Sequence, residues 1–238
     1  MNIALIGYGK MGHMIEEIAK ERGHEVCLRI TSNNTEDLNA ENILDLDVAI
    51  EFTNPQSAFD NVVKCLDLDL PVVSGSTGWN DKLEAARSLC SQENGSFLHA
   101  SNFSIGVNIF FEINKHLARH MNNQPDYGIS IKEIHHTQKK DAPSGTAVTL
   151  AEQILEGIKR KTAWVSNTPA NGDQIEITSE RLDPAPGTHH VKYSSSIDDI
   201  EIIHTAHNRK GFALGAVLAA EYIHDKKGVF SMKDVLGL

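Results

Sequence analysis

Asn2-Ile3-Ala4-Leu5-Ile6-Gly7-Tyr8-Gly9-Lys10-Met11-Gly12 is the stretch that decides the fold. A β-prone run from Asn2 to Ile6 enters a Gly-x-Gly-x-x-Gly turn, after which Met11, Ile15, Ile18 and Ala19 recur with helical spacing. Glu25 to Ile30 reads as the next strand, which completes a βαβ unit. In that setting glycines turn the chain tightly and bring backbone N–H groups against a pyrophosphate. Gly7, Tyr8, Gly9, Lys10, Met11 and Gly12 are therefore expected to hold a dinucleotide, the alternative being a plain strand-to-helix turn. The acid that commonly binds an adenosine ribose is missing after the second strand, where Thr31, Ser32 and Asn33 stand. A strong preference for NAD over NADP is not supported. Lys10 and Arg29 either help hold a 2′-phosphate or are solvated surface charges.

Outward from this unit the alternation continues. Asp47 to Phe52 reads as a third strand, Asn54-Pro55 as the cap and start of a helix carrying Ala58, Val62 and Leu66 on one face. Strands at Pro71 to Ser74 and Phe97 to Ala100 flank a helical segment around Asp81 to Cys90. The pattern predicts a mostly parallel sheet with helices on both faces, a Rossmann-type α/β domain. Such sheets bind ligands beyond the carboxyl ends of their strands. Phe52-Thr53, Gly75-Ser76-Thr77-Gly78 and Ser101-Asn102-Phe103-Ser104, with Ala100 at the strand end before it, fall there and suit a nicotinamide; ordinary turns are the other reading of each.

After Asn102 the pattern changes. Val107, Phe110, Phe111, Leu117, Ala118 and Met121 mark one helix, and Ala147, Leu150, Ala151, Ile154, Leu155 and Ile158 a second. β-prone runs lie at Gly128 to Ile134, Gln174 to Ser179, His189 to Ser195 and Glu201 to Ala206. Helices on one face of a mixed sheet, an α+β domain, account for this half. From about Gly211 an apolar helix through Leu214, Val217, Leu218 and Tyr222 returns to the first domain. The expected division is 1–103 completed by 211–238 for the dinucleotide domain, and 104–210 for a substrate-binding and oligomerisation domain.

Glu133-Ile134-His135-His136-Thr137-Gln138-Lys139-Lys140-Asp141-Ala142-Pro143-Ser144-Gly145-Thr146 concentrates the chemistry. Two imidazoles, two ammonium groups and two carboxylates precede a helix for which Ser144 is a good N-cap. Gly145 and Thr146 leave free N–H groups at its positive end, where a carboxylate or phosphate can sit. The layout is that of an acid/base site beside an anion site; a solvated surface turn is the plainer alternative.

The chain of 238 residues is 40% hydrophobic and 23% charged, a globular composition, and its formal net charge of −10 argues against nucleic-acid binding. Cys27, Cys65 and Cys90 are too sparse for a disulfide framework and read as reduced, buried thiols of a cytoplasmic protein. No signal or membrane segment is expected. Twelve histidines raise the question of a metallohydrolase. His204 and His207, three apart in a β-run, point to opposite faces and no His-Glu-x-x-His pattern accompanies them, so no metal is expected.

Several separated motifs together resemble the 4-hydroxy-tetrahydrodipicolinate reductase (dihydrodipicolinate reductase) family of bacterial lysine and diaminopimelate synthesis. They are the glycine loop, Glu51-Phe52-Thr53-Asn54-Pro55, Gly75-Ser76-Thr77-Gly78, Ser101 to Asn108, the His-His to Ser-Gly-Thr block, Arg209 and Met232 to Leu236. The resemblance implies NADPH- or NADH-linked reduction of a small cyclic dicarboxylate imine by a homotetramer. It assigns His135 as proton donor and acceptor and Lys139 as second proton donor and positioning cation. His136, Gly145 and Thr146 become substrate binders, with Arg209 either a further carboxylate anchor or a surface residue. The chain departs from the family pattern in a glycine loop one residue shorter, in the absent second-strand acid, and in Arg181 to His189, where the middle glycine of Arg-x-Gly-x-x-x-Gly-x-His is lost. A reductase of the same fold acting on another imine, and a non-catalytic NAD(P)H sensor, are the competing readings.

Overall fold

The computed structural model describes residues 1–238 and divides into two compact units, Met1–Ile105 with Lys210–Leu238, and Gly106–Arg209. In the first, β1 (Asn2–Ile6), β2 (Glu25–Ile30), β3 (Val48–Glu51), β4 (Val72–Ser74), β5 (Ser96–His99) and β11 (Gly228–Phe230) form one sheet, all parallel, in the order β11-β5-β4-β3-β1-β2. Alternate side chains of β1 serve opposite faces, as strand geometry demands. Ile3 and Leu5 pack under α1 (Lys10–Glu21) and α6 (Lys210–Ile223), while Ala4 and Ile6 pack under α2 (Ala58–Asp67) and α3 (Leu83–Gln92). Both faces are thus covered, which explains the near-continuous apolar strands. Full burial of each Ile, Leu or Val contributes about 1.5–3 kcal/mol. Helix α6 lies tightly against the chain after β5, since a Cβ on Gly215 would stand 1.8 Å from the Phe103 carbonyl oxygen.

The second unit carries α4 (Ile105–Met121), which begins at the unit boundary, β6 (Gly128–His135), α5 (Gly145–Gly157), β7 (Ala163–Ser166), β8 (Gln174–Arg181), β9 (Gly187–Ser194) and β10 (Asp199–Ala206). Its sheet has the order β10-β9-β6-β8-β7, antiparallel across the first two pairings and parallel across the others. This is the mixed sheet expected, with α4 and α5 on the face where Ile129, Ile131, Ile175, Ile177, Val191 and Tyr193 are buried.

Several local expectations need correction. The helix after Asn54-Pro55 begins at Ala58, because the Asn54 side chain accepts from the N–H groups of Gln56 (3.0 Å) and Ser57 (3.2 Å) and forms a separate lead-in turn. The short strands β7 and β11 and the helix α7 (Met232–Leu236) were not anticipated from periodicity. Cys27 is exposed: it sits on the sheet-edge strand β2, where its neighbour Val26 takes the buried face. His207 lies beyond the end of β10, so strand alternation does not decide its direction. No helix is long and apolar enough to cross a membrane.

Candidate active site

In the first unit the strand order reverses between β1 and β3, and ligands of such sheets bind outside the carboxyl ends at that point. Gly7 (φ +94°) follows β1, and a Cβ there would stand 2.1 Å from the Phe52 carbonyl oxygen. Gly12 is equally closed, its Cβ position 2.5 Å from the Gly7 oxygen, which seats α1 against the loop. Gly9, the N-cap of α1, has no side-chain cap, and its Cβ direction meets nothing within 4 Å. Two glycines close the turn and the third leaves the helix N-terminus open, a cradle that fits a pyrophosphate. Tyr8 and Met11 lie half-buried beside it and Lys10 is exposed.

Arg29 is committed elsewhere. It holds Glu16 through two bonds of 2.5 and 3.1 Å and lies 5.6 Å from the centre of the Tyr8 ring, whose hydroxyl also bonds Glu16. These bonds, Arg29 foremost, hold the Glu16 carboxyl well below the usual range against the opposing effect of burial. Asn34 closes the loop after β2 by accepting from the N–H and hydroxyl of Thr31, each at 2.8 Å, and Ser32 stands exposed at its tip.

The carboxyl ends of β3 and β4 converge on Glu51, which is fully buried. It accepts from Ser74 Oγ (2.5 Å), Ser76 Oγ (2.7 Å), Thr53 Oγ1 (2.5 Å) and Thr53 N–H (2.9 Å). Phe52 packs against Phe103 at 5.6 Å between ring centres, and only glycine at 75 leaves room for the Phe52 ring. Thr77 and Ser101 are exposed, while Ala100 and Asn102 are half-buried. The structure therefore brings Phe52, Thr53, Gly75 and Ser76 together around one carboxylate that sequence reading had not assigned a role.

In the second unit the apolar rows of the sheet give way to a polar one. Ile177, Ile131, Val191 and Ile202 stand side by side across four strands; two residues on, the same registers align Ser179, Glu133, His189 and His204. The next row sets Arg181 beside His135. Glu133 is fully buried and both its oxygens lie 3.1 Å from the Ser144 N–H. Its Oε1 also accepts from Arg181 Nη2 at 3.2 Å, and its Oε2 lies 3.3 Å from His135 Nδ1 and 3.9 Å from His189 Nε2. Burial opposes the charge, but His135 and Ser144 hold the Glu133 carboxyl well below the usual range.

His189, buried and beside His135, is pushed down to about 3 and stays neutral near pH 7. Its Nε2 meets Ser144 Oγ at 3.1 Å, and that oxygen caps α5 by accepting from Ala147 N–H at 3.2 Å. Gly145 and Thr146 follow at the first turn of the helix, and the Cβ direction of Gly145 meets open space. Gly187 matters for a different reason: a Cβ there would stand 3.0 Å from His135 Nε2.

The loop between β6 and α5 is held from several sides. Arg181 donates to the carbonyls of Lys139 (3.3 Å) and Asp141 (2.5 Å), and Asp183 accepts from the Thr137 N–H (3.0 Å) and hydroxyl (2.6 Å). Asp183 occupies the position of the missing family glycine, so this departure supplies a loop anchor. Lys139 Nζ contacts both Asp141 oxygens at 2.8 and 2.9 Å, which holds the Asp141 carboxyl below its usual range. His136, one residue beyond the strand, is half-buried, and Arg209 is exposed at the end of the unit. Glu133, His135 and His189 offer ligand atoms within 4.8 Å of one another. The Arg181 guanidinium on the same carboxylate makes this donor set better suited to protons than to a cation.

Residues 1–103 match the family model described as dihydrodipicolinate reductase, N-terminus, and residues 106–236 the one described as dihydrodipicolinate reductase, C-terminus. The 4-hydroxy-tetrahydrodipicolinate reductase of Christiangramia forsetii is 52% identical over 237 residues, covering 99% of this chain and 98% of its own length. That of Neisseria meningitidis serogroup B is 33% identical over 230 residues, covering 94% and 84%. Among solved structures, the dipicolinate-bound dihydrodipicolinate reductase from Paenisporosarcina sp. TG-14 shares the fold at a TM-score of 0.78 and 22% identity, covering 98% of each chain. An amine dehydrogenase from Mycobacterium smegmatis shares it at 0.64 and 9%, covering 98% and 95%. Two matched halves and a relative identical at half of all positions make this chain a member of the dihydrodipicolinate reductase family, a pyridine-nucleotide-dependent oxidoreductase.

Proposed function

We propose that the protein reduces 4-hydroxy-tetrahydrodipicolinate to tetrahydrodipicolinate in lysine and diaminopimelate synthesis, with NADPH or NADH, and that His135 and Lys139 manage the protons. One observation carries the assignment of the site: the Glu133 carboxylate touches both the His135 ring and the N-cap of α5. Proton donor and anion seat are thereby tied to one buried group. The Gly145 and Thr146 N–H groups at the positive end of α5 receive a substrate carboxylate, with His136 and Arg209 as further contacts. When bound, the reduced nicotinamide supplies the hydride. His135 then delivers a proton to the electron density left on the ring, help that is worth about 10²–10⁴ in rate. Lys139 positions the substrate and acts as second proton donor once substrate displaces it from Asp141.

The first unit, with boundaries at 1–103 and 211–238, is proposed to hold the nucleotide through Gly7 to Gly12, Thr31, Ser32, Phe52, Thr53, Gly75 to Thr77 and Ala100 to Phe103. Residues 104–210 present the substrate and build a homotetramer in the cytoplasm. Support for that assembly comes from β10, a sheet edge whose Ile200 and Ile203 are 37% and 57% exposed. The test of function is oxidation of NADPH, and separately NADH, with substrate generated from pyruvate and aspartate semialdehyde by a coupled synthase. Turnover is expected with at least one nucleotide. Folded protein that binds the nucleotides without turnover would favour another imine substrate or a sensor.

A further inference from the structure

We propose that Glu133 is a positioning residue for this reaction: its carboxylate orients the His135 imidazole and the N-terminus of α5 together. The inference rests on the reading of His135 as proton donor. A ring nitrogen that must exchange a proton works only if the other nitrogen is fixed, because the partner of one selects the tautomer and aim of both. His135 Nδ1 is buried and forms no complete hydrogen bond, and Glu133 Oε2, 3.3 Å away, is the acid paired with it. At that distance a small rotation of the ring is enough to turn the contact into a bond.

The opposite edge of the ring is free for a different reason. Nε2 faces Gly187, where any side chain would crowd it at 3.0 Å. Glu133 therefore holds one edge and the missing Cβ clears the other. The same two oxygens receive the Ser144 N–H, so displacement of the carboxylate would move the carboxylate seat and the proton donor independently.

The groups around Glu133 set its condition. His135 and Ser144 hold it anionic, Arg181 from β8 lies on its other oxygen at 3.2 Å, and His189 from β9, neutral near pH 7, leaves that charge for His135. A purely structural ion pair between Glu133 and Arg181 is the competing explanation. It predicts that loss of the charge lowers stability while catalysis per folded molecule is kept.

The experiment compares Glu133→Gln and Glu133→Asp with wild type. Glu133→Gln is expected to lower kcat by about 10- to 100-fold, the usual cost of removing an orienting partner. Because the glutamine oxygen still accepts from the Ser144 N–H and so keeps the carboxylate seat, KM, the dissociation constant of dipicolinate as a ground-state probe, and that of NADPH are expected to stay within about twofold. Glu133→Asp, which keeps the charge, is expected to recover part of the loss. A folded Glu133→Gln protein with kcat within about threefold of wild type would overturn the proposal.

Should Glu133→Gln fail to fold, nitrogen NMR of histidine-labelled wild type at alkaline pH decides instead. The His135 ring proton is expected on Nδ1; finding it on Nε2 would equally overturn the idea. Unchanged turnover in His135→Gln would refute the assignment of the proton donor without touching the orientation of its ring, so the two failures are distinguishable.

Discussion

Each unit buries one glutamate completely near the carboxyl end of a β-strand, and the two are surrounded in opposite ways. Glu51 is caged by the hydroxyls of Thr53, Ser74 and Ser76 and by one backbone N–H, all neutral donors at 2.5–2.9 Å. Glu133 sits among an arginine, two imidazoles and a helix cap. A carboxylate held only by neutral donors shapes backbone: it ties the carboxyl ends of β3 and β4 together and keeps Phe52, Thr53 and Ser76 in place. A carboxylate held by titratable groups shapes protons. The contrast explains why only the second unit is expected to govern the chemical step, while the first governs how the nucleotide is held.

The largest expected effect tests that division directly. His135→Gln and Lys139→Ala should each lower kcat strongly, His135→Gln by about 10²–10⁴, with the NADPH dissociation constant nearly unchanged. Loss of nucleotide binding in either variant would break the comparison.

A smaller effect is expected at the other glutamate. Glu51→Ala leaves buried hydroxyls without their acceptor, and each unsatisfied group costs about 1–3 kcal/mol. Urea unfolding should report that loss, and NADPH affinity should fall, while kcat at saturating nucleotide stays close to wild type. A kcat loss matching that of His135→Gln would show that the cage also takes part in chemistry.

The smallest effect is in the pH dependence of stability. An unfolded imidazole titrates near 6.5, whereas folded His189 does so at about 3. Between those values the unfolded chain binds a proton that the folded chain refuses, so stability falls as pH drops from about 6.5, by up to about 1.4 kcal/mol per unit for one site. His204, also pushed down by burial, adds to the same slope. His189→Asn should flatten the decline between pH 6.5 and 5 in thermal melts. An unchanged slope would mean that His189 takes up its proton without unfolding.

The first unit was legible because its signals are local. Five β-prone residues, three glycines and a helical period lie within the first twenty positions, so the pattern reads from neighbours even though Gly7 packs against distant Phe52. The limits appeared where pairing partners decide the outcome. β7 and β11 are four and three residues long and gain their definition from their partners, β8 across a short loop and β5 far away in sequence. Cys27 looked like an interior thiol until the strand order placed β2 at an edge.

Glu133 was in plain view but unread, since a glutamate in a β-run suggests a solvated face. One signal could have found it. Ile129, Ile131, Glu133 and His135 alternate, so an interior His135 requires an interior Glu133. His189 and Arg181 needed more than alternation, because only the registers of β9 and β8 bring them alongside.

Those registers have a further consequence. The isoleucines and valines of the core do more than exclude water; they act as an alignment jig, locking strand against strand so that the polar rows beyond them fall into line. Because a strand has only two sides, the site is a matter of parity. Insertion of a single residue between His190 and Val191 would leave the apolar rows intact, yet present His190 to the interior in place of His189. Two inserted residues would restore the side but shift the row. The chemistry of this protein is thus written partly in odd and even numbers, counted from a hydrophobic core that never touches the substrate.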